Sequence, residues 1–297
     1  MRKSTPFLFL FPSLIFIVFF SIYPIAFGIS MAFFNWKHFT RGEFAGLSNF
    51  VKVFNDREFI DVKKILNGVF TLPLGALIHS ILWIIIFVPL ATFLGLIIAF
   101  YVRDLKGASI IRTIIFSTYV LPLAVFGWML FFIYDYNAGI LNGFLKSIGL
   151  SELAAPFLFN TKTVLLCLIF SSLYVWLGFS TVLFSAGIDQ IPRELFEVAV
   201  VEGASGFQML RYICYPLLKP VTRMVLTLAT VYSLRMFDLV QVATRGGPGS
   251  ASLVLDVLVY RKIFLSSPSY LGEAGAIIVI SLMLFLAVVS IIDRVVK

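Results

Sequence analysis

Stretches without a single charged residue alternate along the chain with shorter polar ones. Residues 4–36, 65–102, 113–134, 163–188 and 274–292 contain no Asp, Glu, Lys or Arg. Each is long enough for one helix to cross a hydrocarbon core of about 30 Å, which takes about 20 residues. Lipid offers the backbone no hydrogen bonds, so runs of this length are read as helices. The pattern predicts spans over about 6–34, 77–101, 113–134, 163–186 and 274–292. Pro73 and Gly75 mark an entry segment ahead of the second helix, Pro89 a kink within it, and Pro122 lies inside the third span. Arg2 and Lys3 before an apolar run also fit a secretory signal, but the run is about twice the length of a signal's apolar region. A sixth candidate, 224–244, is long and apolar but interrupted by Arg235 and Asp238. Their i,i+3 spacing puts them on one helical face, where they can pair. That face is expected to turn into the bundle, because a charge facing lipid is costly. Residues 253–264 mix apolar side chains with Asp256, Arg261 and Lys262, and read as an outer amphipathic helix rather than a seventh span. The expected fold is an all-α polytopic membrane protein, a single transmembrane domain over 1–297 with six transmembrane helices.

Composition agrees. Hydrophobic residues make up 60% of the 297, aromatic 16% and charged 13%, which excludes a disordered chain and does not suit a soluble globule. The net charge of +8 does not point to nucleic acid, because the basic residues sit in loops between apolar runs and suit lipid head groups. Lys and Arg are equal in number on the two sides of the predicted spans, but denser in the short loops on the side of both termini. That side is therefore expected to be cytoplasmic. Trp36, Tyr101, Tyr134 and Tyr136 sit at span ends, as an aromatic belt would place them. Cys167 lies in a span and Cys214 in a loop, so no disulfide is expected. With only His38 and His79, a zinc or histidine-based catalytic centre is not expected, and no G-x-x-x-x-G-K-[ST] run is present to bind ATP.

The loop 187–223, between the fourth and fifth spans, has internal order. Pro192 suits the first turn of a helix and Glu194 its positive end. Leu195, Val198, Ala199 and Glu202 follow at helical spacing, and Gly203 fits a C-cap. A second short helix is expected from Ala204 and Ser205 to about Ile213, ended by Pro216. Two short helices around a glycine make a knob that presents Glu197 and Ala199 to a partner. An amphipathic helix lying on the inner leaflet fits the same pattern.

The run Glu197, Val198, Ala199, three residues, Gly203, nine residues, Ile213, Cys214, Tyr215, Pro216 resembles the EAA motif of binding-protein-dependent ABC permeases, E-A-A-x3-G-x9-I-x-L-P, at every spacing. Val198 replaces an alanine, Tyr215 replaces a leucine, and Glu202 stands where many relatives have aspartate. Residues 44–59, Gly139-Ile140-Leu141-Asn142, and Met236-Phe237-Asp238 followed by Thr244-Arg245-Gly246-Gly247-Pro248 are similar to segments of the carbohydrate-uptake branch (maltose, multiple-sugar and glycerol-phosphate types).

The resemblance implies the six-helix fold of the type I importer permeases, with a coupling helix pair in the loop between helices four and five. It implies that Glu197, Ala199, Gly203, Ile213 and Pro216 form the coupling element seated on a separate ATPase. Partners would be two ATPase subunits, a second permease subunit, an extracytoplasmic solute-binding protein and the lipid bilayer. No cofactor would be bound by this chain; ATP and Mg would be used by the ATPase. The place would be the cytoplasmic (inner) membrane of a bacterium or archaeon. Polar and aromatic residues within spans are the translocation-path candidates: Trp128, Tyr174, Trp176, Tyr232, Arg235, Asp238 and Gln241. The outward loop with Gly246, Gly247 and Pro248 would shape the outer gate. A glycerol-3-phosphate permease is the alternative within the branch. An ion-coupled secondary transporter would show inverted repeats, and a membrane enzyme would need a titratable pair near an interface.

Overall fold

The computed structural model describes residues 5–37, 40–267 and 270–296. Arg2, Lys3, His38 and Lys297 lie outside the described residues. Among the described residues, five helices are long and apolar enough to cross a membrane, and a bent pair makes a sixth crossing if counted as one. The first, α1 (Leu10–Met31), is almost unburied within the chain. It stops before the expected residue 34 because its last carbonyls have other partners. Trp36 Nε1 donates to Met31 O at 3.2 Å, and Asn49 Nδ2 donates to Ala32 O at 2.9 Å. A hairpin follows, β1 (Phe34–Lys37) against β2 (Thr40–Phe44), then α2 (Ser48–Phe54) and α3 (Val62–Leu66).

The centre is the pair α4 (Ala76–Val102) and α8 (Val164–Ile188). Small residues bring them together. Gly95 lies against Ser180, whose hydroxyl donates to Ala91 O at 2.9 Å, leaving no space for a side chain on the glycine. Trp83, Phe87, Leu165, Leu168 and Ile169 fill the main core further along the pair. α4 continues as one helix with Pro89 inside it.

The third span differs from expectation. Its helix begins at Ala108, not 113, as α5 (Ala108–Ser117), passes through a 3-10 turn at Thr118–Val120, and breaks. α6 (Leu123–Tyr134) leaves at 96° to the preceding helix. Pro122 is the cause: it forces Leu121 into an extended conformation (φ −67°, ψ 126°). α7 (Ile140–Ser147) and the loop to α8 lie at the opposite end from the knob, held by Asn142, whose amide donates to Asp135 O and Ala155 O and accepts from the Ala155 N–H.

The knob itself is α9 (Arg193–Val201) and α10 (Gly206–Met209), described below. Its second helix does not stop at Pro216. It widens into a π turn at Leu210–Cys214, with the Tyr215 N–H on Leu210 O, and continues through the proline to Leu217. The same device precedes Pro24, where a π turn at Val18–Ile22 puts the Tyr23 N–H on Val18 O. In both, the wide turn relieves the clash between the proline ring and the carbonyl four residues back.

The interrupted span is two helices, α11 (Lys219–Leu234) and α12 (Phe237–Ala243), separated at Arg235 and Met236. Arg235 has left the helix (φ −112°, ψ 44°), so the i,i+3 geometry is lost and Arg235 and Asp238 form no ion pair. The segment read as an outer amphipathic helix is α13 (Leu255–Tyr260), extended by a π turn to Leu265. It is sunk into the fold: Leu253, Val254, Leu255, Val257 and Leu258 are all buried in the main core. α14 (Leu271–Val295) closes the bundle, its start packed on the end of α1 and its last turn tied to α11 through Arg223, which donates to Val296 O.

Candidate functional site

The knob is closed by a Schellman motif. The Ala204 N–H reaches Ala199 O at 2.8 Å and the Gly203 N–H reaches Val200 O at 3.0 Å, with Gly203 at φ +76°. A capping box then starts α10: the Gln208 N–H donates to Ser205 Oγ, and the Ser205 N–H to Gln208 Oε1 at 2.7 Å. Four capping bonds in ten residues fix the angle between the two helices. Beneath them lies a second apolar core separate from the main one, in which Leu210, Cys214 and Leu218 pack on Leu96, Phe100, Phe184 and Ile188 of α4 and α8. The knob is thus an outgrowth of the central helix pair.

Its outer face is bare. Glu197, Gly203 and Pro216 are exposed, and Ala199 and Ile213 half-buried. Val198 and Val201 stand out as well, Val201 at 85% exposure. Apolar side chains rigidly displayed beside a carboxylate suit a protein partner. Burial pushes the Cys214 thiol up to about 11. Its reactive thiolate is therefore absent at neutral pH, and maleimide is expected to label Cys214 only after denaturation; labelling of the native protein within minutes at pH 7 would show that the knob core opens.

The translocation candidates divide. Trp176, Tyr232, Arg235 and Asp238 meet around a cavity of about 280 Å³ that also has Tyr119 and Phe179 in its wall, two residues the sequence reading missed. The rings form one cluster: Trp176 to Tyr232 at 4.4 Å, Trp176 to Phe179 at 4.9 Å, and Tyr119 stacked on Phe179 at 4.8 Å. Trp176 is 3% exposed, and its Nε1 and Tyr232 Oη are buried without a hydrogen-bond partner. Arg235 and Asp238 are exposed at the rim. The other candidates lie elsewhere. Tyr174 points outward on α8, Gln241 is half-buried on α12, and Trp128, 65% exposed, lines a separate cavity of about 340 Å³ with Phe131, Phe159 and Arg245. Phe179 is three residues after Trp176 on α8, a helical spacing that could have found it; Tyr119 could be found only by knowing that the turn after α5 folds onto α8.

At the opposite end from the knob, Gly246, Gly247 and Pro248 form a tight loop. The Gly247 N–H donates to Thr244 O, and Ser252 Oγ closes it on Gly247 O at 2.6 Å. Arg261 Nη2 donates to Arg245 O while its Nη1 meets Glu58 Oε1 at 3.0 Å. Next to it Lys262 bridges Asp56 at 2.6 Å and Glu273 at 2.8 Å. Glu58, in the segment 44–59, therefore holds this loop, accepting from Ser250 Oγ and from Arg261, while Asp56 holds Lys262 beside it. The groups involved are distant in sequence, which is why no local pattern announced them.

Comparison with known proteins agrees with this architecture. Residues 91–297 match the family described as binding-protein-dependent transport system inner membrane component. The chain is 36% identical to a probable ABC transporter permease of Pyrococcus horikoshii over 99% of both chains. It is 29% identical to the trehalose/maltose transport system permease of Thermococcus litoralis, over 83% of this chain and 77% of that one. Among solved structures it resembles, at 19% identity and a TM-score of 0.80, a chain of a bacterial alginate ABC transporter in complex with an alginate pentasaccharide-bound periplasmic protein, covering 100% of this chain and 96% of that one. This chain belongs to the family of binding-protein-dependent transport system inner membrane components, the multi-pass permeases of ABC importers, in which ATP hydrolysis is the work of a separate subunit.

Proposed function

We propose that this permease takes up a sugar or oligosaccharide delivered by an extracytoplasmic binding protein. The observation that carries the substrate class is the aromatic cavity of Tyr119, Trp176, Phe179 and Tyr232 with Arg235 and Asp238 at its rim. Aromatic faces stack on the C–H faces of pyranose rings, and a guanidinium and a carboxylate hydrogen-bond hydroxyls. The similarity to a trehalose/maltose permease supports the same class. Glu197, Val198, Ala199 and Val201 are the docking face for an ATPase subunit that uses ATP and Mg²⁺. A second permease completes the path, and knob and termini lie in the cytoplasm of a bacterium or archaeon.

The test is ATP hydrolysis by the reconstituted complex in the presence of its binding protein loaded with maltose, trehalose or glycerol-3-phosphate. Several-fold stimulation by a sugar-loaded binding protein is expected. Stimulation by glycerol-3-phosphate alone would move the chain to the alternative substrate, and uptake that needs no ATP and stops with an uncoupler would overturn the reading.

A further inference from the structure

The two ends of α4 are each fastened to a segment with a different task. At the knob end, Arg103 follows the last turn of the helix. Its Nε and Nη2 hold Asp104 at 2.8 and 2.6 Å, keeping that carboxyl below the usual range, and so its guanidinium plane is fixed. That plane lies 4.0 Å from the ring centroid of Phe196 on α9 and 5.0 Å from that of Phe100 on α4, a cation–π bridge between rod and knob. Gly206, the first residue of α10, rests against Phe100 and Tyr101, so both knob helices touch the same end of α4.

At the other end, His79 is fully buried. The Leu74 N–H donates to its Nε2 at 3.0 Å, which places the ring proton on Nδ1, and Nδ1 donates to Leu253 O at 2.8 Å. One residue on, Ser80 Oγ accepts from the Leu255 N–H at 3.2 Å. These bonds grip residues 253–255, directly behind the glycine loop 246–249. The two clamps lie near opposite ends of one unbroken 27-residue helix, with about 36 Å from His79 to Arg103 at 1.5 Å per residue.

We propose that α4 is a push rod, in which Arg103 with Phe196 and His79 with Ser80 are positioning residues that deliver displacement of the knob to the gate loop at the opposite face. A contiguous rigid helix is a physical carrier for such coupling. The inference rests on the reading of the knob as the ATPase-docking element.

The test uses the whole transporter in liposomes, with Cys167 and Cys214 replaced by alanine and a nitroxide on Phe264→Cys, a residue exposed at the end of the helix that follows the clamp. The probe is ATP, Mg²⁺ and vanadate, so no transported solute is needed. The nitroxide spectrum is expected to change on trapping. In Arg103→Met and in Ser80→Ala, the complex still assembles and hydrolyses ATP, but the amplitude of that change falls at least about fivefold, as loss of an ordinary coupling free energy predicts. Phe196→Leu does the same, Arg103→Met/Phe196→Leu is no worse than either single variant, and Arg103→Lys recovers part. His79→Leu repeats the loss from the far end. Full responses in Arg103→Met and Ser80→Ala, additive losses in the double variant, or a loss that merely follows missing ATPase subunits each overturn the rod. Gly203→Pro separates the two readings. If it still responds, the knob is not the docking element; if it is silent while Arg103→Met and Ser80→Ala respond, only the rod fails.

Discussion

Gly203→Pro is expected to abolish uptake while the chain still inserts and reaches its normal level in the membrane. The backbone at Gly203 stands at φ +76°. Proline holds φ near about −65° and has no N–H. The substitution therefore removes the Gly203-to-Val200 bond and forbids the left-handed turn that carries the Ala204-to-Ala199 bond. Both bonds of the Schellman closure go at once, at a local cost of about 3 kcal/mol or more. That loss falls on the angle between α9 and α10, where Glu197 and Val201 are displayed, and not on the main core of α4 and α8. Gly203→Ala is the graded control. A Cβ there meets nothing within 4 Å, so alanine bears only the left-handed strain of about 1–2 kcal/mol. Uptake and ATP hydrolysis measured side by side should show alanine partly active and proline inactive. Equal uptake in wild type and the proline variant would remove the knob from the coupling pathway.

Much of this architecture is legible in the sequence, for reasons particular to membranes. A bilayer excludes charge, so charge-free runs enclose α1 and α8 and cover all but the ends of α14, and within the longer run 65–102 Pro73 and Gly75 mark the start of α4. Gly203 is equally readable, because a glycine after a helical repeat has one common use. What escaped depends on contacts between distant residues. Pro122 is compatible with a span, since neighbours in a bundle often re-satisfy the freed backbone; here the chain breaks by 96° instead, and the turn it frees brings Tyr119 onto Phe179. Arg235 and Asp238 share a helical face only if the helix continues, and it stops at Arg235. The charges of 253–264 suggested a surface, yet Lys262 is taken inward by carboxylates that lie in two other segments. Of the polar and aromatic residues offered as path candidates, the fold brings Trp176, Tyr232, Arg235 and Asp238 around one cavity by which helix faces meet.

That buried lysine supports the other large effect. Lys262 and Glu273 are each 9% exposed, and Asp56 shares the same ammonium. Burial works against the charge on Lys262, but the hydrogen bonds it donates to Asp56 and Glu273 outweigh it, so its pKa is raised. A raised lysine pKa adds stability that is present throughout neutral pH and is lost only as pH climbs through the folded-state value. Lys262→Met keeps the length of the side chain and removes the cation, leaving Glu273 and Asp56 facing each other without a counter-charge. Removing one partner of a buried ion pair costs about 3–5 kcal/mol, which is a large part of the stability of most folds. The damage should be centred on the ends of α13 and α14 away from the knob and on the segment 44–59, so the knob keeps its fold in the fraction that stays folded. Lys262→Met/Glu273→Leu is expected to recover most of the loss, because only Asp56, the more accessible carboxylate at 23% side-chain exposure, is then left unpaired. Thermal unfolding of the purified protein in detergent measures both. A Lys262→Met midpoint equal to wild type would mean that water reaches these carboxylates freely and that the ionic bridge does not hold the outer face together.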